Sequence, residues 1–194
     1  MKDNVIQLNS SEKNFTDTIE DFPNRDWIEA GIKILREKSV EALTSKSISE
    51  EIKKEEKEFS RLYNGMESYM EALLDYWYEK ETLKYIDMLD EMTGDAADLV
   101  LATTEIIHNI DKSDEIAIRN MALKCPNAHA ALARVDRTRL DVAIGLFKEM
   151  GFSEKESEIR SKIFYTSEIG TEYTSISSSL EQKIARTKLL MVRD

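Results

Sequence analysis

Residues 43 to 63 read LTSKSISEEIKKEEKEFSRLY, and this stretch decides the fold. Its apolar residues recur at a spacing that lets two short helices pack against one core. Thr44 or Ser45 can cap the first helix, and Lys53 falls at the tight turn before the second. Two short helices joined by a tight turn form a helix-turn-helix. The apolar residues that hold this pair are Leu43, Ile48, Ile52, Phe59 and Tyr63.

A further helix is predicted before this pair, from about Arg25 to Lys38, with Asn24 as its cap. Residues 24–66 therefore form a predicted three-helix domain. Residues 1–23 are polar and are predicted to be a mobile tail. Alternatively, Phe15, Ile19 and Phe22 form a short docking turn in this segment. The broad apolar side of the first helix consists of Trp27, Ile28, Ile32, Ile34 and Leu35.

The remaining chain, residues 67–194, is predicted to form a larger helical domain. Apolar residues at helical spacing predict a long helix from about residue 67 to residue 90, which ends before Thr93-Gly94. Gly151 has the position of a left-handed cap, and Ser153 to Glu156 form a capping box. The prediction is an all-α protein of about nine helices. The other helices are predicted over residues 95–109, from 113 to before Pro126, and over 128–150, 154–170 and 174–192.

The composition restricts the classes of partner. A formal net charge of −11 argues against nonspecific binding to nucleic acid or to anionic membranes. The single cysteine, Cys125, excludes an internal disulfide and is typical of a reducing compartment. No apolar run approaches the roughly 20 residues of a membrane span, and the N-terminus lacks the apolar centre of a signal peptide. We therefore expect a soluble, cytoplasmic protein without a membrane partner.

The titratable residues do not form a recognisable catalytic or metal site. His108 and His129 are on different predicted helices, so no set of side chains has metal-ligand spacing. Asp136 and Arg139 can pair on one helix face, and with Arg119 and Arg160 they suggest a structural ion network. Phosphate-binding glycine motifs and a nucleophile elbow are absent from the sequence. The sequence therefore predicts no enzyme, no catalytic residue, no cofactor and no metal.

The predicted helix-turn-helix resembles that of the TetR family of bacterial transcriptional regulators. The family has a "G…ALT" segment after its first helix, and this chain has Ser39-Val40-Glu41-Ala42-Leu43-Thr44. The family pattern "LAxxLGVSxGSFYxHF" then aligns without gaps with residues 48–63, and its following "K…L…" with residues 64–73. The chain departs from the family at Lys53, where the turn glycine is expected, at Ser60, where a tyrosine is expected, and at Asn64, where a basic residue is expected.

The C-terminal half resembles one branch of the same family more closely. The branch pattern "E.AIR.WA" corresponds to Glu115-Ile116-Ala117-Ile118-Arg119-Asn120-Met121-Ala122. A second pattern, "VD..R…L…GF…EA..R…YY..IG", follows over the next helices, and the whole resemblance covers about residues 25 to 190. Its matching residues are Val135, Asp136, Arg139, Leu146, Gly151, Phe152, Glu156, Arg160, Tyr165, Ile169 and Gly170.

The resemblance implies a homodimer that binds double-stranded operator DNA and responds to a small effector, here expected to be apolar. Glu55, Glu56 and Glu58 would face phosphates if the third helix docked in a DNA groove, and such contacts are unfavourable. Operator binding and a helical pair kept only for folding, with a solvated mixed-charge face, therefore remain alternatives. The second alternative gives a dimeric ligand- or protein-binding module that has lost DNA recognition. The candidate DNA-binding residues are Thr44, Ser45, Lys46, Lys53, Lys54, Lys57, Arg61 and Tyr63.

Two further sets of residues are candidates for the effector site and the dimer interface. The first set can line an apolar pocket or can be ordinary core. The second set combines small and apolar residues on the last two helices, which can form a four-helix bundle with a second copy or can pack within one chain. Candidate pocket residues are Tyr69, Leu73, Tyr76, Trp77, Ile106, Ile107, Met121 and Phe147. Candidate interface residues are Ile163, Phe164, Ser167, Gly170, Ile176, Leu180, Ile184 and Met191.

Overall fold

The structure is a computed structural model that describes residues 22–193, and all regular secondary structure in this range is helical. Helices α4 and α5 are joined without interruption by the π-helical turn Glu79–Leu83, so the range contains nine helical rods. The predicted all-α class with about nine helices is confirmed. The helices are α1 Arg25–Glu37, α2 Ser45–Glu51, α3 Glu56–Leu62, α4 Gly65–Tyr78, α5 Lys84–Glu91, α6 Ala96–Asn109, α7 Ser113–Ala122, α8 Pro126–Glu149, α9 Glu154–Gly170 and α10 Leu180–Leu190.

Most of the predicted helix ends are found, because they depend on local hydrogen bonds. The hydroxyl of Thr44 accepts a hydrogen bond from the backbone N–H of Ser47 at 3.1 Å and caps α2. Ser153 caps α9 with Glu156 in a capping box, and Gly151 ends α8 with a φ of +85°.

One predicted cap and one predicted helix start differ clearly from the structure, although α1 begins at Arg25 as predicted. Asn24 precedes α1, but its backbone is left-handed, with a φ of 58°, and its side chain accepts no capping bond. The last helix begins at Leu180 rather than at residue 174, because Ser179 accepts the backbone N–H of Gln182 at 3.3 Å. The apolar spacing before Ser179 therefore does not correspond to helix.

Only the last two residues of the predicted tail are described. Phe15 and Ile19, which belong to the alternative docking turn, lie outside the described residues. Phe22 packs edge-on against the ring of Tyr76, with 5.0 Å between ring centroids.

A large core joins the first three helices to the helices that follow. Trp27 of α1, Phe59 of α3 and Tyr69 of α4 form an aromatic cluster, in which the Tyr69 hydroxyl donates to the carbonyl of Trp27 at 2.8 Å. Helix α1 also packs against α7. A second core, around Phe147 and Phe164, lies between α6, α8 and α9. The predicted boundary at residue 66 is thus crossed by continuous packing, which can transmit a shift of α4 to α1–α3.

Candidate nucleic-acid interface and ligand cavity

The turn between α2 and α3 is short and passes through one left-handed residue. Lys53 adopts the left-handed conformation, with a φ of 56°, at the position where the family has glycine. A side chain in this conformation costs about 1 kcal/mol. The turn is retained because Ile48 and Phe59, on either side of it, are almost completely buried in the core.

The exposed surface of α2 and α3 carries both charges in equal number. Lys46 lies 3.9 Å from Glu50, Lys57 pairs with Glu55, and the Ser45 hydroxyl donates to Glu56. This surface is therefore a mixed-charge face and not a basic strip. Residues 44–64 contain the basic residues Lys46, Lys53, Lys54, Lys57 and Arg61 and the acidic residues Glu50, Glu51, Glu55, Glu56 and Glu58.

Three of the candidate DNA-binding cations differ from Lys46 and Lys57 in their surroundings. The Lys54 ammonium lies 5.6 Å from the centroid of the Trp27 ring, in a cation–π contact. Lys53 and Arg61 are exposed and have no ion-pair partner among residues 22–193. These two side chains are the most available for contact with phosphate.

Tyr63 was predicted both to hold the helix pair in the core and to bind DNA, and its side chain lies in the core. Its side chain is 7% exposed and packs against the rings of Phe59 and Tyr69. Burial raises the pKa of Tyr63 to about 12. Tyr63 follows the last turn of α3, where the chain bends towards α4, so its ring closes the core and is withdrawn from a phosphate backbone.

An apolar cavity of about 130 Å³ lies in the larger part of the molecule, between α5, α6, α7, α8 and α9. A cavity of this size is of the order that encloses one single-ring molecule. Charged and hydroxyl groups meet it where the π-helical turn approaches α7 and α8, and further charged groups border it at the connection between α6 and α7 and near the end of α9. Its apolar wall includes Tyr85, Ile86, Leu89, Val100, Ile106, Ile107, Ile110, Ile116, Val142, Ala143, Leu146, Phe164 and Ile169.

Only Ile106 and Ile107 of the eight candidate pocket residues line this cavity. The other six fill the two cores. Helical periodicity identifies a buried face, but it does not distinguish a wall with empty space behind it from a packed one. The π-helical turn also rotates α5 relative to α4, so the cavity is met by Tyr85 and Leu89. The candidates placed in the cores are Tyr69, Leu73, Tyr76, Trp77 and Met121 around the first, and Phe147 in the second.

A buried ion network forms the polar side of the cavity. Arg119 donates to Glu115 at 2.7 Å and to Asp136 at 2.6 Å, and the Tyr165 hydroxyl donates to Asp136 at 2.7 Å. Burial alone would lower the pKa of Arg119, but the hydrogen bond to Asp136 and the charge of Glu115 raise it. The guanidinium is therefore permanently charged and fixed in position.

Arg139 connects this network to the π-helical turn. It donates to Glu115 at 3.0 Å, to the Thr82 hydroxyl at 3.1 Å and to the Glu81 carbonyl at 2.8 Å. Helical distortions of this kind leave backbone carbonyls in need of donors, and Arg139 supplies one. The turn is thus held by a side chain that itself borders the cavity.

The predicted ion network is correct in part. Asp136 and Arg139 are three positions apart on α8, and their side chains contact different neighbours. Asp136 pairs with Arg119, whereas Arg139 pairs with Glu115. Arg160 lies apart from the network and donates to the Leu190 carbonyl at 2.6 Å. Sequence reasoning identified Arg119 and Arg139 but missed Glu81, Thr82 and Tyr85, whose signal was a polar interruption in a long apolar helix.

The last two helices expose an apolar stripe. Ile159 and Ile163 of α9 are 49% and 47% exposed, and Leu189 and Val192 in and after α10 are 72% and 57% exposed. Ile159, Leu189 and Val192 were missed, although Ile159 and Ile163 have the i, i+4 spacing of one helix face.

The candidate interface residues occupy different positions. Ile163 belongs to the stripe, but Phe164 is 4% exposed and belongs to the second core. Ile176 is 72% exposed and lies in the connection before α10. The remaining candidates are half-buried and lie at the edges of these helices: Ser167, Gly170, Leu180, Ile184 and Met191.

The other candidate sites carry no assembled group. Among the described residues, no set of three or more His, Cys, Asp and Glu side chains is placed to hold a metal ion. Over the same range, no helix is long and apolar enough to cross a membrane. Cys125 is a free, half-buried thiol that precedes α8.

Comparisons with family models and with curated proteins found no relative. No family model matches the chain, and no curated protein matches it in sequence. The resemblance to TetR regulators therefore rests on the quoted motifs.

Proposed function

We propose that this protein is a dimeric, effector-responsive transcriptional regulator that binds operator DNA through α2 and α3. The observation that carries the proposal is the turn at Lys53, where a non-glycine residue keeps the left-handed conformation that sets α2 against α3. Ile48 and Phe59, on either side of the turn, anchor it in the core, so the exposed faces of α2 and α3 are held at a fixed angle to each other. The starts of both helices face solvent, where a duplex can approach them.

The distribution of charge supports DNA as the partner of this end. Residues 22–66 contain nine basic and nine acidic side chains, whereas the whole chain has a net charge of −11. The helix-turn-helix end is therefore neutral, and the remainder carries the acidic excess. A duplex is repelled least at α1–α3, so the field of the protein favours docking by this end.

A path of ion pairs connects the cavity to the first helix. Lys80 of the π-helical turn lies 3.0 Å from Asp114, and Asp114 lies 3.1 Å from Arg36 of α1. An effector that shifts the π-helical turn would displace Lys80 and bias the position of α1–α3. Effector control of DNA affinity requires that the effector favours one of two positions of α1–α3, and a displacement of Lys80 would provide that preference.

The exposed stripe on α9 and α10 supports a two-fold dimer. Four large apolar side chains there are between 47% and 72% exposed. A helix pair with such a stripe can bury it against the same surface of a second copy. Two copies would present two α2–α3 pairs to successive half-sites of a duplex, about 34 Å apart.

A second candidate function is favoured by the carboxylates at the start of α3. Glu55 and Glu56 are exposed, and Glu56 already accepts the Ser45 hydroxyl that would otherwise donate to a phosphate. Each carboxylate at about 6 Å from a phosphate costs about 0.7 kcal/mol in water. A dimeric module that binds a ligand or a related regulator, and has no operator, is the alternative.

Genomic SELEX with the full chain, at low and at moderate salt, tests the proposal. We expect enrichment of a pseudo-palindromic duplex and a steep loss of affinity with salt. If no duplex is enriched at low salt, the regulator proposal is wrong.

Paired variants distinguish the two functions on the enriched duplex. Glu55→Gln with Glu56→Gln should tighten binding by about three- to tenfold, because two like charges leave the interface while the Ser45 contact is kept. Lys53→Gln with Arg61→Gln should weaken it by at least as much. Asp90→Asn with Glu91→Gln is the charge-matched control, since these residues lie at the far end of α5, roughly 40 Å along the helix from Gly65. If the Glu55→Gln, Glu56→Gln variant binds DNA and the wild type does not, the second function is favoured.

A further inference from the structure

The cavity is bordered by several charged groups, and their pairing determines which ligand it can take. Both arginines have their donors occupied by protein acceptors. Arg119 is bound by Glu115 and Asp136, and Arg139 by Glu115, Thr82 and the Glu81 carbonyl. An anionic ligand would have to break these buried hydrogen bonds to reach a guanidinium. The cavity is therefore poorly suited to a carboxylate or a phosphate.

Most of the carboxylates are compensated as well. Glu115 lies between the two arginines, and Glu168 is held by Lys183 at 3.2 Å and by Arg186. Glu172 pairs with Lys112 at 2.6 Å. Asp111 is exposed and accepts the backbone N–H and the hydroxyl of Ser113, at the start of α7.

Glu81 is the carboxylate with the weakest compensation. Its side chain is 13% exposed, and its one ion-pair contact among the described residues is with Lys80 at 3.5 Å. Lys80 lies closer to Asp114, at 3.0 Å, so its charge is already shared. Burial raises the pKa of Glu81, and the charge of Lys80 offsets this only in part. A buried carboxylate whose only cationic partner is shared with a second carboxylate is stabilised by any cation that enters beside it.

The rest of the wall selects the form of that cation. It is largely aliphatic, and the rings of Tyr85, Tyr165 and Tyr173 also border the space. Aromatic faces attract a cation when water is excluded, and they favour a bulky, weakly hydrated one. Within residues 22–193, no group of three or more His, Cys, Asp and Glu side chains is placed to hold a metal ion. The volume of about 130 Å³ is suited to a single-ring molecule.

We propose that the cavity binds an apolar organic monocation, a substituted amine or quaternary ammonium of single-ring size, with the Glu81 carboxylate as its counter-ion. This inference deepens the proposed function, because it names the class of effector. Binding beside Glu81 would also compete with Lys80 for the carboxylate, at the residue that links the π-helical turn to Asp114.

Calorimetry on the full chain, without DNA, tests the proposal with two probes of equal shape. Benzyltrimethylammonium carries the charge, and neopentylbenzene has carbon in place of nitrogen. We expect the wild-type protein to bind the cation at least about tenfold more tightly than the neutral probe. Phenylacetate should not bind measurably. Equal affinity for the two isosteric probes, or tighter binding of phenylacetate, would overturn the proposal.

Variants of the π-helical turn assign the effect to one residue. Glu81→Gln should reduce the preference for the cation about tenfold and leave the affinity for neopentylbenzene within about twofold. Glu79→Gln is the matched control, since Glu79 is exposed on the same turn. Glu81→Asp, which keeps the charge, should keep the preference and so separates a loss of charge from a loss of folding. An unchanged preference in Glu81→Gln contradicts the assignment.

The pH dependence supplies an independent measurement. Cation affinity should rise with pH as Glu81 loses its proton, whereas the affinity for neopentylbenzene should stay constant. The groups that face Glu81 are Lys80 and Tyr85 on its own helix, Asp114 and Glu115 on α7, and Arg139 on α8. A flat profile for both probes would refute the role of the carboxylate. Operator binding without cation binding would refute this inference alone, and cation binding without any operator would refute the regulator proposal alone.

Discussion

Gly31 lies where α1 crosses α4, and its replacement by alanine should be strongly destabilising. A Cβ atom at Gly31 would lie 1.9 Å from the Tyr69 hydroxyl oxygen, 2.9 Å from its Cζ atom and 3.0 Å from Cδ1 of Leu73. Tyr69 and Leu73 are completely buried, so neither side chain can turn away into solvent. The methyl group therefore displaces the tyrosine from its hydrogen bond to the Trp27 carbonyl.

The magnitude follows from three contributions. Overpacking costs about 1–3 kcal/mol, and loss of the buried hydrogen bond costs about 1–3 kcal/mol. Alanine regains about 1 kcal/mol through its higher helix propensity. We expect a net loss of about 2–4 kcal/mol in the free energy of unfolding. For a chain of this length, 3 kcal/mol corresponds to a fall in Tm of about 6–12 °C.

Urea unfolding followed by circular dichroism, at one fixed protein concentration, measures this change. Gly145→Ala is the control, because a Cβ at Gly145 in α8 meets no atom within 4 Å, and we expect it to stabilise by about 0.5–1 kcal/mol. Tyr69→Phe in the Gly31→Ala background should recover about 1–2 kcal/mol, since it removes the closest atom. If Gly31→Ala stabilises as Gly145→Ala does, or if the double variant recovers nothing, the close approach of α1 to α4 is wrong.

Three further predictions concern the interface, the ion network and Glu81. Ile163→Asp with Leu189→Asp should convert a dimer into a folded monomer, as measured by light scattering with size-exclusion chromatography, while Leu123→Asp, at an 83% exposed site outside the stripe, should leave the dimer intact. Arg139→Met should lower the free energy of unfolding by about 2–4 kcal/mol, because Glu115 loses one of two buried partners, and an effect no larger than that of Arg134→Met on the exposed side of α8 would contradict this. Glu81 has a folded-state pKa above its unfolded value, so its contribution is greatest at acid pH and is lost as pH rises through the folded pKa. Glu81→Gln should therefore be more stable than the wild type at neutral pH in urea titrations. The difference should narrow as pH falls through the raised folded-state pKa and be smallest below about pH 4.5, and a constant difference across pH would refute the assignment.

The sequence predicted the helices well because their signals are local. Thr44, Gly151 and Ser153 determine helix ends through bonds to atoms within a few residues, and the 3.6-residue period of Trp27, Ile28 and Leu35 defines a buried face. The start of α10 was missed because Ser179 is a stronger signal than the apolar spacing before it. Tyr63 lies in the core, as its apolar spacing predicts, so the DNA contact also predicted for it would need the opposite direction of the side chain.

The candidate site was predicted less well. Ile106 and Ile107 line the cavity, as predicted. Glu81, Thr82 and Arg139 meet there only because the π-helical turn between α4 and α5 changes which side chains face α7 and α8. The spacing of apolar residues in the sequence does not predict this rotation of α5 relative to α4, since the rotation results from packing against α7 and α8.

The sequence by itself therefore determined the helical class, the order and approximate ends of the helices, and the left-handed turn at Lys53. These depend on interactions between residues close together in the chain. Tertiary structure alone decided that Glu55 and Glu56 stand in solvent beside the lysines, and that Glu81 borders an apolar cavity with Lys80, a partner it shares with Asp114. Burial and pairing are properties of the space around a side chain, and that space is made by residues distant in the sequence.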